Sequence, residues 1–465
     1  MKKSVSGATL AGTLLAFLMV GTLTLGFNVR SGNSSSNIIT VPTDYLTIQA
    51  AINAANPGDT VYVEAGTYHE NILVNKTLSI IGENMCNTTI DGDSPVKDVV
   101  YVCANHVNVT GFRICNSLAA GVSIVNAHYC SISKSNMTDN DRGIWLNSSS
   151  HNNIIENEIV GVVCVYLFFS NTTSVVGNNI RSIGGGTGIQ LQYSCNNNIA
   201  GNNITDGTTI LVSSSSSNNS IAENNITNGL HGVYFSSSSN NKVTGNNITD
   251  CGDGVYVYHC SNNSIAENNI TRGQCGVRLE FSSGNNITSN NITNSQDGVY
   301  AISSSGESII GNNIMANTQR GIYLSSTGSG IIGNNITKNA IGVYLFYPSA
   351  GNTFHHNNFI NNTQQVGLYQ YTYENAWDDG SQGNYWSDYL VRYPDAKEID
   401  GSGIGDTPYV IDAKNTDRYP LIGQSPTIPE FPSPIILVFM LLTILANITV
   451  YKRCLQGRRL ISQHR

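Results

Sequence analysis

Charge is scarce in this chain: only 12% of its 465 residues are Asp, Glu, Lys or Arg. That shortage, beside 45 Gly and 60 Asn, excludes helical bundles and coiled coils, which are built on Ala, Glu, Lys and Leu. Positive charge is the scarcer sign, 23 residues against 31 acidic ones for a net charge of −8. A nucleic-acid binder held by a strong basic field is therefore excluded. No Cys-X-X-Cys pair and no Cys/His cluster with zinc spacing occurs. No stretch carries helical spacing long enough for a leucine-rich or ankyrin unit. What is present is 40% hydrophobic residues, enough for a core, so plain disorder is excluded too. Abundant Asn, Gly and Ser suit many short strands joined by turns.

The two ends read as targeting segments. Met1-Lys2-Lys3 precedes an apolar run from about Ala8 to Phe27, the pattern of an export signal or an uncleaved signal anchor. Ile435 to Tyr451 is a second apolar run, at the short end of the roughly 17–25 residues that cross a bilayer. Lys452, Arg453, Arg458 and Arg459 follow it, so the positive-inside rule puts the tail in the cytoplasm and the rest outside. Nine of the ten Cys then lie on the outer side, with Cys454 beyond the span. An odd number cannot all pair within one chain, and most read as small apolar fillers.

Between the ends runs a repeat. Asn-Asn-Ile recurs from 178–180 to 334–336, and Asn357-Asn358-Phe359 closes the series. With the degenerate copies ending at Ile114, Met137 and Ile159, there are twelve copies, mostly 22 residues apart. Five residues before each closing apolar residue stands a β-branched or aromatic one, from Val109 to Phe354. A second segment reads Gly-Val-Tyr or Gly-Ile-Tyr, with Val233, Val255, Val277, Val299, Ile322 and Val343 each followed two residues on by another apolar residue. Alternation at period 2 marks short half-buried strands. A period near 22 with such strands predicts a parallel β-helix of about twelve coils, all-β and single-stranded. Like residues then stack at about 4.8 Å. The first Asn of each Asn-Asn-Ile should form a ladder at a turn, with a second ladder at Asn197, Asn219, Asn241, Asn263 and Asn285.

Solenoid ends need covering. Ile48, Ala51, Ile52 and Ala55 fall on one face of a short helix that Asn56-Pro57-Gly58-Asp59 ends. The chain divides into a signal (1–30), an upstream cap with the first coils (38–95), repeats (96–362), a downstream cap rich in aromatics (363–423), a linker (424–434), a transmembrane helix (435–451) and a basic cytoplasmic tail (452–465).

Three pieces carry a family resemblance. Thr47-Ile48-Gln49-Ala50-Ala51-Ile52, through Pro57-Gly58-Asp59-Thr60-Val61-Tyr62-Val63 to Gly66-Thr67-Tyr68-His69-Glu70-Asn71, resembles the opening of pectin-lyase-like β-helix proteins. The Gly-Val-Tyr … Gly-Asn-Asn-Ile repeat is similar to that of the NosD-type right-handed β-helix family, also described as a carbohydrate-binding and sugar-hydrolysis repeat. Trp377-Asp378-Asp379-Gly380, Gly383 to Tyr389 and Gly403 to Asp412 resemble the closing segment of archaeal NosD-like surface proteins, and Pro429-Glu430-Phe431-Pro432 resembles an archaeal sorting signal. The resemblance implies the fold; it leaves the function open, because this fold hosts lyases, hydrolases, esterases, epimerases, adhesins and a copper-pathway protein. The paired catalytic Asp motifs of pectin methylesterases and the Asn-Thr-Asp, Asp-Asp and Arg-Ile-Lys set of polygalacturonases are missing.

Candidate sites follow from the repeat. The residue after each Gly-Val should face outward, which gives Trp145, Tyr234, Tyr256, Tyr300, Tyr323 and Tyr344 as an aromatic stripe for sugar. Before each Gly stand His231, Asp253, Cys275, Asp297 and Arg320, read as a charge-balancing ladder rather than an acid–base site. Asp395, Glu398, Asp400 and Asp406 on a Gly-rich loop are the candidate Ca²⁺ ligands. Asn203, Asn225, Asn247, Asn269, Asn291 and Asn335 head Asn-X-Thr sequons and are the glycosylation candidates. Copper would want convergent His, Met or Cys. Only His355 and His356 are adjacent, and neighbours along a strand point to opposite faces. The reading is a membrane-anchored cell-surface β-helix, non-catalytic, binding glycans or envelope polymers. A polysaccharide lyase or hydrolase and a NosD-like copper-pathway protein are the alternatives.

Overall fold

A computed structural model of the protein describes residues 36–370 and 373–426. The signal (1–30), the sorting-type motif, the transmembrane segment (435–451) and the tail (452–465) lie outside these residues. Among the described residues no helix is long and apolar enough to cross a membrane.

Each regular coil carries three strands. In one coil these are Ser220–Ala222, Asn225–Thr227 and His231–Ser236. Each pairs in parallel with its counterpart one coil on, as in Ile221↔Val243, Ile226↔Ile248 and Val233↔Val255. We call the three resulting stacks the first, second and third sheets. The first runs through fifteen strands, from Ile38–Val41 to Thr353–His355. The expectation of twelve coils is thus corrected to fifteen. Ile38–Val41, Thr60–Val63 and Ser79–Gly82 precede the twelve copies; they stack in register but lack the Asn-Asn-Ile turn that makes a coil visible in sequence.

The interior is one continuous core. Val109, Ile154 and Ile221 of the first sheet, Ile204, Ile226 and Ile248 of the second, and Val233, Val255 and Val277 of the third are all fully buried. The third sheet departs from simple alternation: Gly232 and Val233 are both buried, then Tyr234 turns outward. A Cβ on Gly232 would stand 2.5 Å from the carbonyl oxygen of Gly254 one coil on. Glycine suits this close approach of consecutive backbones, and where Cys164 and Thr209 take the position in earlier coils their side chains are buried. This inward pair puts His231 on the same outer face as Tyr234, their rings 5.2 Å apart.

The turns are held by buried side-chain ladders. Asn246 Oδ1 accepts from both the backbone N–H and Nδ2 of Asn224, each at 2.9 Å. Asn246 Nδ2 in turn donates to Asn268 Oδ1 and to the carbonyl of Ile221. The left-handed backbone lies just before the ladder position: Gly111, Gly177, Gly201, Gly245, Gly311 and Gly333 hold it, replaced by Lys134, Glu156, Glu223, Glu267, Ser289 and His356 in the other copies. The series reaches Asn384, whose N–H donates to Asp417. The second ladder continues from Asn285 onto the buried carboxyl of Glu307 at 2.7 Å, then through Ser329 to Asn352, Asn375 and Asn415. Ser149, Ser170, Ser194, Ser216 and Ser238 form a further one, in which Cys260 takes a rung. Among the described residues nine Cys are free, six of them buried.

Both ends of the core are covered by structure outside the repeats. Helix Ile48–Ala54 is capped by Thr47, whose hydroxyl accepts from Ala50, and Glu70 accepts from the amides of Ile48 and Gln49. Ile48, Ala51 and Ile52 cover the upstream core. Downstream, Trp377 stacks on Phe354 at 4.2 Å and Trp386 on Phe359 at 4.3 Å, with Tyr409 beyond it. The two indole N–H groups donate to Asn415 and Asp417.

Two outcomes test this architecture. Asn246→Leu strands the two donor groups of Asn224 and should lower stability by about 2–4 kcal/mol, whereas exposed Asn247→Ser should cost under about 0.5; urea midpoints of the two variants compare them. Burial pushes the Glu307 carboxyl up to about 7 from its ordinary 4.5, against the opposing bonds from Asn285. The folded state therefore keeps a proton that the unfolded chain loses, a contribution complete below about pH 4 and lost as pH rises through about 7. Glu307→Gln should match the parent at pH 4 and exceed it at pH 8 by on the order of 3 kcal/mol; thermal unfolding across that range is the measurement.

Candidate functional site

Through the regular middle coils the first and second sheets present mostly small groups outward, with Lys242 an exception. In the first these are residues such as Ser220, Ala222, Ser264 and Ala266; in the second, Asn225, Thr227, Asn247 and Thr249. The third sheet is different. Trp145, Tyr166, Gln190, Leu211, Tyr234, Tyr256, Arg278, Tyr300, Tyr323 and Tyr344 form one column in register. The structure thus places all six stripe residues in one line, but Tyr323 is buried within it rather than exposed, covered by its neighbours. Tyr166 is a member that the repeat search missed, because Cys164-Val165-Tyr166 replaces the Gly-Val-Tyr of later coils; the Val-Tyr-Leu that remains was the available signal.

The rings stack on one another rather than lying flat on the surface. Tyr234 and Tyr256 are 4.9 Å apart and 8° from parallel, Tyr300 and Tyr323 4.5 Å and 13°. Between the pairs, the Arg278 guanidinium lies 5.0 Å from the Tyr256 ring and 5.6 Å from that of Tyr300. Arg320 sits 4.7 Å from Tyr323. Ring faces are therefore largely occupied by neighbours, and what the column offers outward is ring edges, hydroxyls and guanidinium groups.

The charged column runs beside it. Arg320 holds Asp297 through two hydrogen bonds of 2.6 and 2.8 Å. Arg278 donates to Glu280 at 2.6 Å, and the Tyr256 hydroxyl donates to the other oxygen of Glu280, also at 2.6 Å. His231 Nδ1 lies 3.0 Å from Asp253 Oδ2 without the geometry of a hydrogen bond. Cys275, buried between Asp253 and Asp297, has its thiol pushed up by burial and by both carboxylates, and stays protonated. Burial likewise pushes the Tyr323 hydroxyl up to about 12, so it remains a donor. Burial opposes the Arg278 charge, yet Glu280 and Asp253 outweigh it and hold the guanidinium ionised.

Some polar atoms on this face make no hydrogen bond, although His231 Nδ1 lies beside Asp253 Oδ2. Ser123 Oγ, Trp145 Nε1, His231 Nδ1 and Asp253 Oδ1 are buried and unbonded, and Ser123 is the rung next to Trp145. Buried polar atoms are ordinarily paired, so four such atoms on one face mark a place where an outside group or water is expected. Exposed rings occur at turns as well: His106, Tyr129 and His151 stack at 5.1 and 4.9 Å, and Phe169 on Tyr193 at 4.7 Å. Their shared coil offset was legible in the sequence.

The remaining candidates fall elsewhere. The second Asn of each repeat forms an outer ladder, with Asn225 Nδ2 donating to Asn203, Asn247 to Asn225, Asn269 to Asn247 and Asn291 to Asn269, all at 2.8–2.9 Å. Asn335 joins through Asn313. Adjacent rungs are too close for a glycan on each. Asp395, Glu398, Asp400 and Asp406 are exposed; Glu398 accepts from the Gly403 amide and Asp406 from that of Lys397, and the four do not close into a group of converging ligand atoms. One such group exists among the described residues: His355, His356 and Asp379, whose ligand atoms all lie within 4.8 Å of one another. The expectation that the two His point apart is overturned. The strand ends at His355, and His356 has left-handed backbone, φ 58°, which brings its ring back. Their Nδ1 atoms are 2.7 Å apart.

Removing the cation from the better-buried ion pair tests the charged column. Arg320→Met leaves Asp297 without its partner and should cost about 3 kcal/mol, read as a lowered urea midpoint that Arg320→Lys partly restores.

Over residues 208–391 the chain matches the family described as periplasmic copper-binding protein (NosD), and over 99–248 the one described as right handed beta helix region. It is 38% identical over 97 residues to the probable ABC transporter binding protein NosD of Pseudomonas aeruginosa, a match covering 19% of this chain and 21% of that protein. The match thus spans about a fifth of the length of this curated relative. Among solved structures, the Dettilon tailspike protein aligns at 17% identity with a TM-score of 0.42, over 72% of this chain and 68% of that one. The DFA-IIIase of Arthrobacter chlorophenolicus A6 aligns at 13% and 0.47, over 64% and 95%. The A-module of the Azotobacter vinelandii mannuronan C-5 epimerase AlgE4 aligns at 15% and 0.37, over 71% and 94%. By its repeats, its coil architecture and these family matches, the chain is a NosD-like right-handed parallel β-helix.

Proposed function

We propose that this chain is an extracellular β-helix, held at the cell surface by its 435–451 segment, that binds a glycan or envelope polymer along the outer face of the third sheet. The observation carrying this reading is the set of unbonded buried atoms, Ser123 Oγ, Trp145 Nε1, His231 Nδ1 and Asp253 Oδ1, on the sheet that also carries the large outward side chains. A chain of sugar hydroxyls supplies donors and acceptors at the repeat of such a surface, and the protonated Tyr hydroxyls answer them. Contact is through ring edges and polar groups, since the ring faces are stacked. Glu280 and Asp297 are tied to Arg278 and Arg320, which speaks against a free acid–base pair. A hydrolase or lyase reading would centre on Asp253, whose Oδ1 is unbonded beside His231.

The test is a glycan and polysaccharide screen of the full chain, scored for binding and for cleavage. Binding without product is expected. Trp145→Phe keeps the ring and deletes the unbonded N–H, so it should weaken binding about fivefold, the worth of one hydrogen bond, with an unchanged or higher melting temperature. Unaltered binding in that variant removes the upstream part of the face from the site. Turnover that Asp253→Asn abolishes would replace this reading with the enzymatic one.

A further inference from the structure

We propose that Asn218, Asn262 and Asn361 are the N-glycan acceptors of the repeats, and that the Asn of the Asn-Ile-Thr sequons stay unmodified. The proposal rests on the extracellular placement given above, and not on glycan binding by the third sheet.

The three residues share one arrangement. Each heads Asn-Asn-Ser or Asn-Asn-Thr, at 218–220, 262–264 and 361–363. Each has left-handed backbone, with φ of 57°, 56° and 52°, a conformation that Asn tolerates at turns. Each is exposed. The residue after it, Asn219, Asn263 or Asn362, is a buried rung whose Nδ2 donates to a carbonyl one coil back. The rung pins the corner, and the Asn before it is turned outward. No hydrogen bond holds the side-chain amides of Asn218, Asn262 and Asn361 among the described residues. A saccharide added there displaces nothing, and an exposed turn is where an Asn-X-Ser/Thr acceptor is reached.

The Asn-Ile-Thr sequons differ on each count. Nδ2 of Asn203, Asn225, Asn247, Asn269, Asn291 and Asn335 donates to an Asn one coil back. The nitrogen that would carry the sugar is thus engaged along the rod, in a column whose rungs recur about every 4.8 Å. Thr293 and Thr337, which supply the hydroxyls of the Asn291 and Asn335 sequons, are buried. The remaining sequon Asn between 96 and 362 also lie in strands, except Asn171, whose Oδ1 accepts from the Cys195 amide at 2.6 Å.

Spacing agrees. Asn218 and Asn262 occupy one corner column two coils apart, about 9.6 Å at the coil repeat. Asn240 between them precedes Asn241-Lys242 and heads no sequon, and Gly284 takes the next place in the column. A saccharide at each therefore has an unmodified coil beside it. In the transfer, Nδ2 attacks the anomeric carbon of a lipid-linked saccharide phosphate. A C–N bond forms, the C–O bond to phosphate breaks with its electron pair leaving on the phosphate, and one Nδ2 proton is released.

The experiment maps glycopeptides by mass spectrometry on the full-length protein isolated from the cells that make it, with protease added to intact cells as a parallel measurement. Saccharide mass is expected at Asn218, Asn262 and Asn361, with the six Asn-Ile-Thr acceptors unmodified. Ser220→Ala deletes the sequon hydroxyl and leaves Asn218 in place. It should lose one saccharide, and Ser220→Thr should keep it, with the melting temperature of the deglycosylated chains unchanged. Saccharide on any of the six strand Asn would overturn the proposal. So would an unmodified Asn at any of the three corners in a chain that external protease digests. An unmodified chain that the protease cannot reach overturns the extracellular reading as well.

Discussion

The structure depends on how its turns satisfy buried backbone amides. A parallel β-helix pairs its strands coil to coil, but at each corner the chain leaves the sheet and its N–H groups still face a dry interior. Here a side chain from the next coil supplies the acceptor. Asn is suited to this because its amide both accepts from the rung before and donates to the rung after. One residue type at one position therefore solves the same problem in each coil from Asn157 on, provided that this turn recurs in register from coil to coil. That requirement explains the regular spacing between Asn178 and Asn357, and the spacing in turn brings every other position into register.

A ladder of this kind has a direction, so it needs a terminus. The last Asn side chains still present acceptors and donors, and the downstream cap is built around them. Asp417 accepts from Asn384 and from Trp386, and Asn415 accepts from Asn375 and Trp377. The two indoles thus do double duty: their rings end the apolar column, and their N–H groups join the polar one. Asp417 carries the cost, its carboxyl raised to about 6 by burial against the bonds it accepts. The aromatic crowding that marks residues 363–423 is the signature of a core being closed by ring stacking, not of a ligand site.

Much of this was legible because repetition magnifies weak signals. A single Asn-Asn-Ile means little; its recurrence shows the coil length, the inward columns, the two Asn ladders and the outward Tyr row. The parts that sequence left hidden are those where repetition fails. Coils such as Thr60–Val63 and Ser79–Gly82 turn without Asn, so fifteen coils read as twelve. The outward direction of His231 was obscured because Gly232 and Val233 both point inward, a two-residue step that period-2 counting misplaces. His355 and His356 read as divergent because the end of a three-residue strand was invisible, and Asp379 came to them from a cap with no period at all.

The same contrast bears on where function can reside. Residues that recur in every coil serve stacking, since no single ligand requires a dozen copies of one contact. The Tyr pairs behave this way: their faces are spent on one another, and only their edges are left for a partner. Function is better sought where the column changes character, at Arg278 between two tyrosine pairs, at Trp145 with its unbonded N–H, and at His356, at a left-handed position that Gly holds in half of the copies. Each of these substitutions costs something locally, through desolvated charge, an unpaired donor or left-handed backbone. A scaffold of fifteen mutually supporting coils can carry such costs, because neighbouring coils hold the backbone in place whatever the odd residue prefers.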